Sequence, residues 1–302
     1  MLSRLLLFVL MILLIPAQGL AAPRVVVSIA PIHSLVAGVM AGVATPELLV
    51  GGARSPHRYL LKPSQRRLLS QADLIVWVGK GVESFLPKTL SSLNSQGRVL
   101  ALMALEKIKL LPARRGGEWL KASHAGHHHG GMDGHLWLDP QNAKVMVNAV
   151  ADELIKLDAE NAERYRTNAR DVLKKLDLLD AALKRELSAV KNRPYLVFHD
   201  AYQYFEARYG LNAIAAISVD PERKPGARRI NAVRLAIRQN NVNCVFREPQ
   251  FSSAAVRVVT EGTGAKSAVL DPMGAELLPG QDLYFQLMHR LADGLAMCLS
   301  QR

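Results

Sequence analysis

The stretch Arg24-Val-Val-Val-Ser-Ile-Ala30 continues through Pro31 into a segment of helical pattern that extends to about Gly42. A continuous run of β-branched residues is typical of a strand that is buried on both faces. Proline is tolerated at the first position of a helix, so the pattern predicts a strand that leads directly into a helix. Such a unit is typical of an α/β protein with a parallel sheet.

The same alternation of strand and helix recurs in two series along the chain. The first series continues with predicted strands at 47–50 and 73–78 and helices at 63–71 and 82–93. The second series has predicted strands at 195–198, 213–219, 244–247 and 267–270 and helices at 201–209, 228–239, 252–261 and 282–299. We therefore predict two α/β lobes with mainly parallel sheets.

A long amphipathic segment over residues 159–191 separates the two series. Its apolar residues recur at helical spacing and form one stripe: Tyr165, Val172, Leu176, Leu179, Leu183, Leu187 and Val190. A helix of this length would extend about 50 Å, enough to join two lobes. We predict an N-terminal lobe over residues 22–157, a linking helix over 158–191 and a C-terminal lobe over 192–302.

The chain begins with an apolar segment that fits neither lobe. Arg4 precedes an apolar run over residues 5–15, Pro16 interrupts the pattern, and small residues precede a cleavage position at Ala21. The run is shorter than the roughly 20 residues that a membrane-spanning helix needs. We predict a cleaved signal peptide over residues 1–21 and an exported protein, with an uncleaved anchor as the alternative.

The chain is basic, with 38 Lys and Arg against 26 Asp and Glu, a formal net charge of +12. Such a charge makes nucleic acid the first partner to consider. The basic residues are scattered, however, and no aromatic platform or recognition motif accompanies them. We therefore expect no nucleic-acid partner.

Three of the nine histidines, His57, His135 and His199, stand where predicted strands give way to loops or helices. Ligands of open α/β sheets bind at the carboxyl ends of the strands, so these imidazoles are well placed to converge. Asp271 holds the equivalent position after the last strand. Imidazole suits zinc, which takes three or four N, O or S ligands. The alternative is that each histidine is only a local capping residue and that Asp271 forms a turn with Pro272.

A glycine-rich segment over residues 112–134 has neither helical nor strand periodicity, which predicts a flexible loop. It carries four further histidines: His124, His127, His128 and His129. Imidazoles on such a loop would bind zinc weakly and exchangeably, because ordering the loop costs backbone entropy.

Cys244 and Cys298 are the only cysteines of the chain. In an oxidising compartment, two cysteines in one lobe are more often a disulfide than free thiols. We predict that they form a disulfide.

Several motifs resemble, in order, those of the high-affinity zinc-uptake binding proteins of bacterial ABC transporters. The resemblance extends from about Arg24 to the C-terminus and includes the late Cys298. Its motifs are Gly52-Ala-Arg-Ser-Pro-His-Arg-Tyr-Leu-Leu-Lys-Pro-Ser64, His135-Leu-Trp-Leu-Asp-Pro140, Phe198-His-Asp-Ala-Tyr-Gln-Tyr-Phe-Glu206, Pro225-Gly-Ala-Arg228, Cys244-Val-Phe-Arg-Glu-Pro-Gln250 and Leu270-Asp-Pro-Met-Gly274.

This resemblance implies a metal site between the lobes, with His57 and His135 from the first lobe and His199 from the second. In the manganese-binding relatives a carboxylate stands at the position of His199, and the aspartate matching Asp271 is also a ligand. A histidine at position 199 therefore favours zinc. The fourth ligand is either Asp271 or a water.

The resemblance also implies that the protein binds zinc in the periplasm, as a monomer, and delivers it to an inner-membrane ABC permease. It suggests that the histidine-rich loop captures metal; the alternative is a loop without effect on uptake. Three residues depart from the family pattern at two places. Pro56 and Arg58 flank His57 where relatives often have an acidic residue, and Gln65 stands where they often have Asp.

Two other functions remain open. One is a manganese-binding or broad-metal protein, or a periplasmic metal store, of the same fold. The other is an exported zinc hydrolase, which would need a general base beside a zinc-bound water. No glutamate adjoins the three histidines, and Glu206 is predicted to lie on a helix surface. We therefore predict that the protein is not an enzyme.

Overall fold

The computed structural model describes residues 22–93, 97–114, 131–218 and 223–300. The predicted signal peptide at 1–21 and the loop histidines His124, His127, His128 and His129 lie outside these residues. Within the described ranges, no helix has both the length and the apolar composition of a membrane span.

The first lobe is built on a four-stranded parallel sheet with the strand order β2-β1-β3-β4. As predicted, the buried strand β1 leads directly into helix α1, which has a proline in its first turn. The elements of this lobe are β1 (Val25–Ile29), α1 (Ala30–Val39), β2 (Glu47–Val50), α2 (Pro63–Ser70), β3 (Leu74–Trp77), α3 (Leu86–Ser92) and β4 (Arg98–Ala101).

The second lobe repeats this arrangement with the strand order β6-β5-β7-β8, again entirely parallel. The predicted fold class, two α/β lobes with parallel sheets, is confirmed. The remaining elements are α4 (Pro140–Leu157), α5 (Ala162–Leu187), β5 (Pro194–His199), α6 (Gln203–Tyr209), β6 (Asn212–Ser218), α7 (Ala227–Gln239), β7 (Cys244–Arg247), α8 (Ala254–Thr260), β8 (Lys266–Val269) and α9 (Leu283–Leu299).

Helix α5 joins the lobes and packs against α1, α4 and α9. Six of the seven residues of the predicted apolar stripe lie on its buried face, whereas Val190 is buried beyond the end of the helix at Leu187. The helix is shorter than predicted, about 39 Å for 26 residues. It begins later because Asp158 accepts hydrogen bonds from Asn161 N and from the Tyr165 hydroxyl, which holds a separate turn before the helix.

Two further elements differ from the prediction. Strand β4 was not predicted, because a short apolar run such as that over residues 99–105 does not by itself distinguish a strand from a helix. In the structure this run is divided between the edge strand β4, whose first two residues are exposed, and a 3₁₀ turn at Leu102–Ala104. Helix α3 begins four residues later than predicted. The buried carboxylate of Glu83 accepts hydrogen bonds from Val78 N and Gly79 N and holds residues 79–84 in a turn.

The predicted disulfide between Cys244 and Cys298 is confirmed, with the two Cα atoms 6.1 Å apart. It ties β7 to α9. Helix α9 in turn packs against α1 of the first lobe, where Tyr284 N donates a hydrogen bond to Ser34 Oγ at 2.9 Å. The C-terminal helix therefore contacts both halves of the molecule.

Candidate metal centre

The structure brings His57, His135 and His199 together, with one potential ligand atom of each within 4.8 Å of the other two. His57 lies in the loop between β2 and α2, and His199 is the last residue of β5. His135 follows no strand of either sheet. It comes after an isolated bridge between Pro112 and Met132 and precedes a short 3₁₀ turn.

The spacing of two of these imidazoles fits a zinc ion. His135 Nε2 and His199 Nε2 are 3.4 Å apart. Two nitrogens that each lie about 2.0–2.1 Å from zinc at the tetrahedral angle are about 3.3–3.4 Å apart. The ring of His57 completes the cluster, with its centroid 5.4 Å from that of His135 and 5.7 Å from that of His199.

Two buried carboxylates orient the rings of His135 and His199. Asp133 Oδ1 lies 2.7 Å from His135 Nδ1 and accepts a second hydrogen bond from His135 N at 2.9 Å. Glu248 Oε1 lies 2.7 Å from His199 Nδ1. Since an ionised carboxylate only accepts hydrogen bonds, each Nδ1 carries the proton and each Nε2 keeps its lone pair for a metal.

The roles of Asp133 and Glu248 were not predicted, although both residues lie in or beside motifs that resemble the family. Asp133 stands two residues before His135, and Glu248 follows β7, the strand that pairs with β5. An acidic residue near a predicted histidine ligand, or just after a neighbouring strand, is the signal that could have identified them.

His57 is held by backbone groups rather than by a carboxylate. Its ring hydrogen-bonds the backbone of Gly81, and its carbonyl oxygen accepts a hydrogen bond from Ser84 Oγ at 2.6 Å. Burial, together with the neighbouring His135 and His199, lowers the pKa of His57 to about 2. Its imidazole is therefore neutral at ordinary pH, which is the form that binds a metal.

The electrostatics of His135 are different. Burial lowers the pKa of its imidazole, but the charge of Asp133, the hydrogen bond to it and the charges of Asp200 and Glu248 together raise the pKa overall. The carboxylate favours positive charge on this ring, whether from a proton or from a metal cation.

Asp271 is not a member of the three-histidine cluster. Its Oδ1 accepts hydrogen bonds from Gln250 Nε2 at 2.7 Å and Met273 N at 3.0 Å, and its Oδ2 accepts one from Ala275 N at 2.5 Å. Met273 and Gln250 nevertheless line the small pocket that contains the three imidazoles. Asp271 is thus one hydrogen bond away from the wall of that pocket.

The prediction that Glu206 lies on a helix surface is wrong. The residue is 5% exposed, and its Oε2 lies 2.7 Å from Nη1 of Arg114, which also binds Asp200. Burial raises the pKa of Glu206 to about 7, although Arg114 acts in the opposite direction. The burial of Glu206 could not be predicted from sequence spacing, because its partner Arg114 is distant along the chain.

The positions of two other histidines and of the residues on either side of His57 are also defined. His33 is buried, with Nε2 2.9 Å from Pro46 O, and His289 is exposed on α9. Arg58, one of the departures from the family pattern, is exposed, whereas Pro56 is buried.

The fold and the cluster together define a two-lobed protein with a candidate three-imidazole metal centre between the lobes. The family model described as "ZnuA: Zinc-uptake complex component A periplasmic" matches residues 25–298. The chain therefore belongs to the ZnuA family, whose members are solute-binding components of uptake systems and not enzymes.

Known relatives are similar over nearly their whole length. The "High-affinity zinc uptake system protein ZnuA" of Brucella suis biovar 1 is 42% identical, over 94% of this chain and 94% of the relative. The protein of that name from Yersinia pestis is 34% identical, over 93% and 92% of the two chains.

Two solved structures share the fold. One, described as "Crystal structure of ZnuA", has a TM-score of 0.79 and 27% identity, over 92% of this chain and 99% of that chain. A second, described as "Crystal structure of 138-173 ZnuA deletion mutant plus zinc bound", has a TM-score of 0.78 and 27% identity, over 93% and 99% of the two chains.

Proposed function

We propose that this protein is the zinc-binding component of an ABC import system, which captures Zn²⁺ in the periplasm and delivers it to an inner-membrane permease. The observation that carries the proposal is the 3.4 Å separation of two Nε2 atoms whose rings are fixed by buried carboxylates. Family membership and relatives named as zinc-uptake proteins support the same function.

The proposed ligands are His57, His135 and His199, with a water in the fourth position. A set of three imidazoles favours zinc over manganese, which prefers oxygen ligands. The hydrogen bonds of Asp271 to Gln250 and to the following turn argue against Asp271 as a ligand in this conformation. Zinc is the cargo of the protein, and its release requires the ligand set to be opened.

The remaining parts of the proposal rest on the sequence and on the family. Residues 1–21 act as a cleaved signal peptide, the mature protein is a monomer, and His124, His127, His128 and His129 capture metal for the deeper site. The domain bounds 22–157, 158–191 and 192–302 are proposed on the same basis.

Zinc titration by calorimetry tests the site, using the protein without residues 1–21. We expect one tight site that is lost in His199→Ala and retained after deletion of residues 124–129. His289→Ala is the matched control, because His289 is an exposed histidine on α9, and it should bind like the parent. Tight binding that survives His199→Ala but disappears with the loop would overturn the three-histidine site.

Delivery to a permease is tested separately, by growth under zinc limitation. Expression of the protein should restore growth only in cells that retain the cognate permease. Growth that is restored equally without the permease would indicate a periplasmic metal store and refute the transport role.

A further inference from the structure

Gln250 contacts both the candidate metal pocket and the nearby aspartate. It stands two residues after Glu248 and lines the pocket of the three imidazoles. Its Nε2 lies 2.7 Å from Asp271 Oδ1. An ionised carboxylate can only accept hydrogen bonds, so the amide nitrogen must face Asp271. This chemistry fixes the orientation of the whole amide and leaves Oε1 as the free acceptor.

That free acceptor is buried without a donor. Gln250 Oε1 has no hydrogen-bond partner among the residues that the structure describes, and the same is true of Glu248 Oε2. Both side chains line the pocket that also holds the lone pairs of the histidine cluster. A buried acceptor without a donor is destabilising, because it has given up its hydrogen bonds to water without replacement. Both oxygens are therefore available to an O–H donor that binds in this pocket.

A metal-bound water supplies that donor. A cation polarises its water and makes the O–H groups strong hydrogen-bond donors. A water in the fourth position of a three-imidazole site has two hydrogens, and Gln250 and Glu248, which both line the pocket, each have one buried oxygen without a donor among the described residues.

We infer that Gln250 determines the coordination and the selectivity of the metal site. Its N–H group adds the side-chain hydrogen bond that, with those from Met273 N and Ala275 N, holds the Asp271 carboxylate out of the coordination shell. Its carbonyl oxygen accepts a hydrogen bond from the water in the fourth position. Gln250 is thus a positioning residue that keeps the site at three nitrogens and one water. Without it, Asp271 adds an anionic oxygen ligand, which suits manganese better than a nitrogen-rich set does. The inference rests on the proposed zinc-binding function.

The test compares Zn²⁺, Mn²⁺ and Co²⁺ binding to the protein without residues 1–21 and to Gln250→Ala. We expect the ratio of zinc affinity to manganese affinity to fall at least tenfold in the variant. The visible absorption of bound Co²⁺ should weaken, because four-coordinate cobalt absorbs more strongly than five- or six-coordinate cobalt. Gln250→Leu fills the volume of the side chain and should behave in the same way.

Two further variants separate this role from a loss of packing. The double variant Gln250→Ala/Asp271→Asn has no carboxylate to release, so it should keep the parent's weak manganese binding. Gln141→Ala is the matched control, because Gln141 Nε2 donates to Asp180 Oδ2 at 3.0 Å in a pair that is not part of the histidine pocket. It should leave the affinity ratio and the cobalt spectrum unchanged.

The outcomes distinguish the inference from the function on which it rests. If the parent protein binds zinc tightly but Gln250→Ala changes neither the affinity ratio nor the cobalt spectrum, the inference is wrong and the zinc function stands. If Gln250→Ala lowers the affinity for both metals equally, the residue is only structural and the inference is also wrong. Failure of the parent to bind zinc tightly would instead overturn the proposed function.

Discussion

Asp133 is the residue whose replacement most directly tests how the centre holds its metal. One oxygen of its carboxylate accepts hydrogen bonds from both His135 Nδ1 and His135 N, at 2.7 and 2.9 Å. The residue is 6% exposed. In Asp133→Asn, the amide oxygen can accept the same two hydrogen bonds. The substitution therefore removes the negative charge and keeps the orientation of the ring.

The expected loss of zinc affinity is about tenfold. A hydrogen bond that involves a charged group contributes about 1.5–3 kcal/mol, and a neutral one contributes about 0.5–1.5 kcal/mol. The difference of about 1–1.5 kcal/mol corresponds to roughly tenfold in affinity. Losses of about 10- to 100-fold are typical when the partner of a metal-binding histidine is replaced. Asp133→Ala removes both hydrogen bonds and should lie at the upper end of that range.

The assay is a competition titration against a chromophoric zinc chelator at pH 7.5, with folding checked by circular dichroism. Asp139→Asn is the matched control, because Asp139 is a similarly buried aspartate that caps α4 through Gln141 N and contacts no histidine. Asparagine is also a good capping residue, so zinc affinity should stay within about twofold of the parent. The reasoning is refuted if Asp133→Asn binds zinc like the parent, or if Asp139→Asn weakens binding equally.

Two further predictions concern stability. The double variant Cys244→Ala/Cys298→Ala opens a 54-residue span, so the free energy of unfolding in urea should fall by up to about 4 kcal/mol; a loss below about 1 kcal/mol would contradict this. Burial and the neighbouring Asp293 raise the pKa of Glu186 to about 7 from an ordinary 4.5. The folded state therefore binds the Glu186 proton more tightly than the unfolded state does. The contribution of this group to the free energy of unfolding is fully present below pH 4.5 and is lost as pH rises through 7. Glu186→Gln should lose less stability than the parent between pH 5 and pH 8 in urea unfolding; equal losses would contradict the assignment.

The parts of the fold that the sequence predicted are those in which burial imposes a local pattern. Strand β1 is buried along its whole length, and its β-branched run was visible for that reason. The apolar stripe of α5 was visible because one face of the helix is buried. Strand β4 was missed because the apolar run over residues 99–105 does not show whether or where a strand ends, and β4 is an edge strand that is only partly buried. The start of α5 was misplaced because it is set by a hydrogen bond that Asn161 N donates to the Asp158 side chain.

The residues of the candidate site also divide into those that local sequence patterns predict and those that only packing brings together. The sequence, with its family resemblance, named His57, His135 and His199, which the structure brings together. The expected position after a strand holds for His199 and for His57 in the loop after β2, but His135 follows no strand that the structure describes. It could not show that Glu206 is buried against Arg114, 92 positions away along the chain. Nor could it show that Asp271 is bound by Gln250, because that hydrogen bond joins the ends of two neighbouring strands.

By itself, the sequence determined the two-lobed α/β class and the disulfide, and it named the three imidazoles as candidate ligands, because these depend on local composition and on motifs of short range. Only the tertiary structure decided which carboxylates orient the imidazoles and which acceptors stay unpaired beside them. Those features depend on distances of about 3 Å between residues far apart in the chain, and packing of the two lobes, rather than any local pattern, sets such distances.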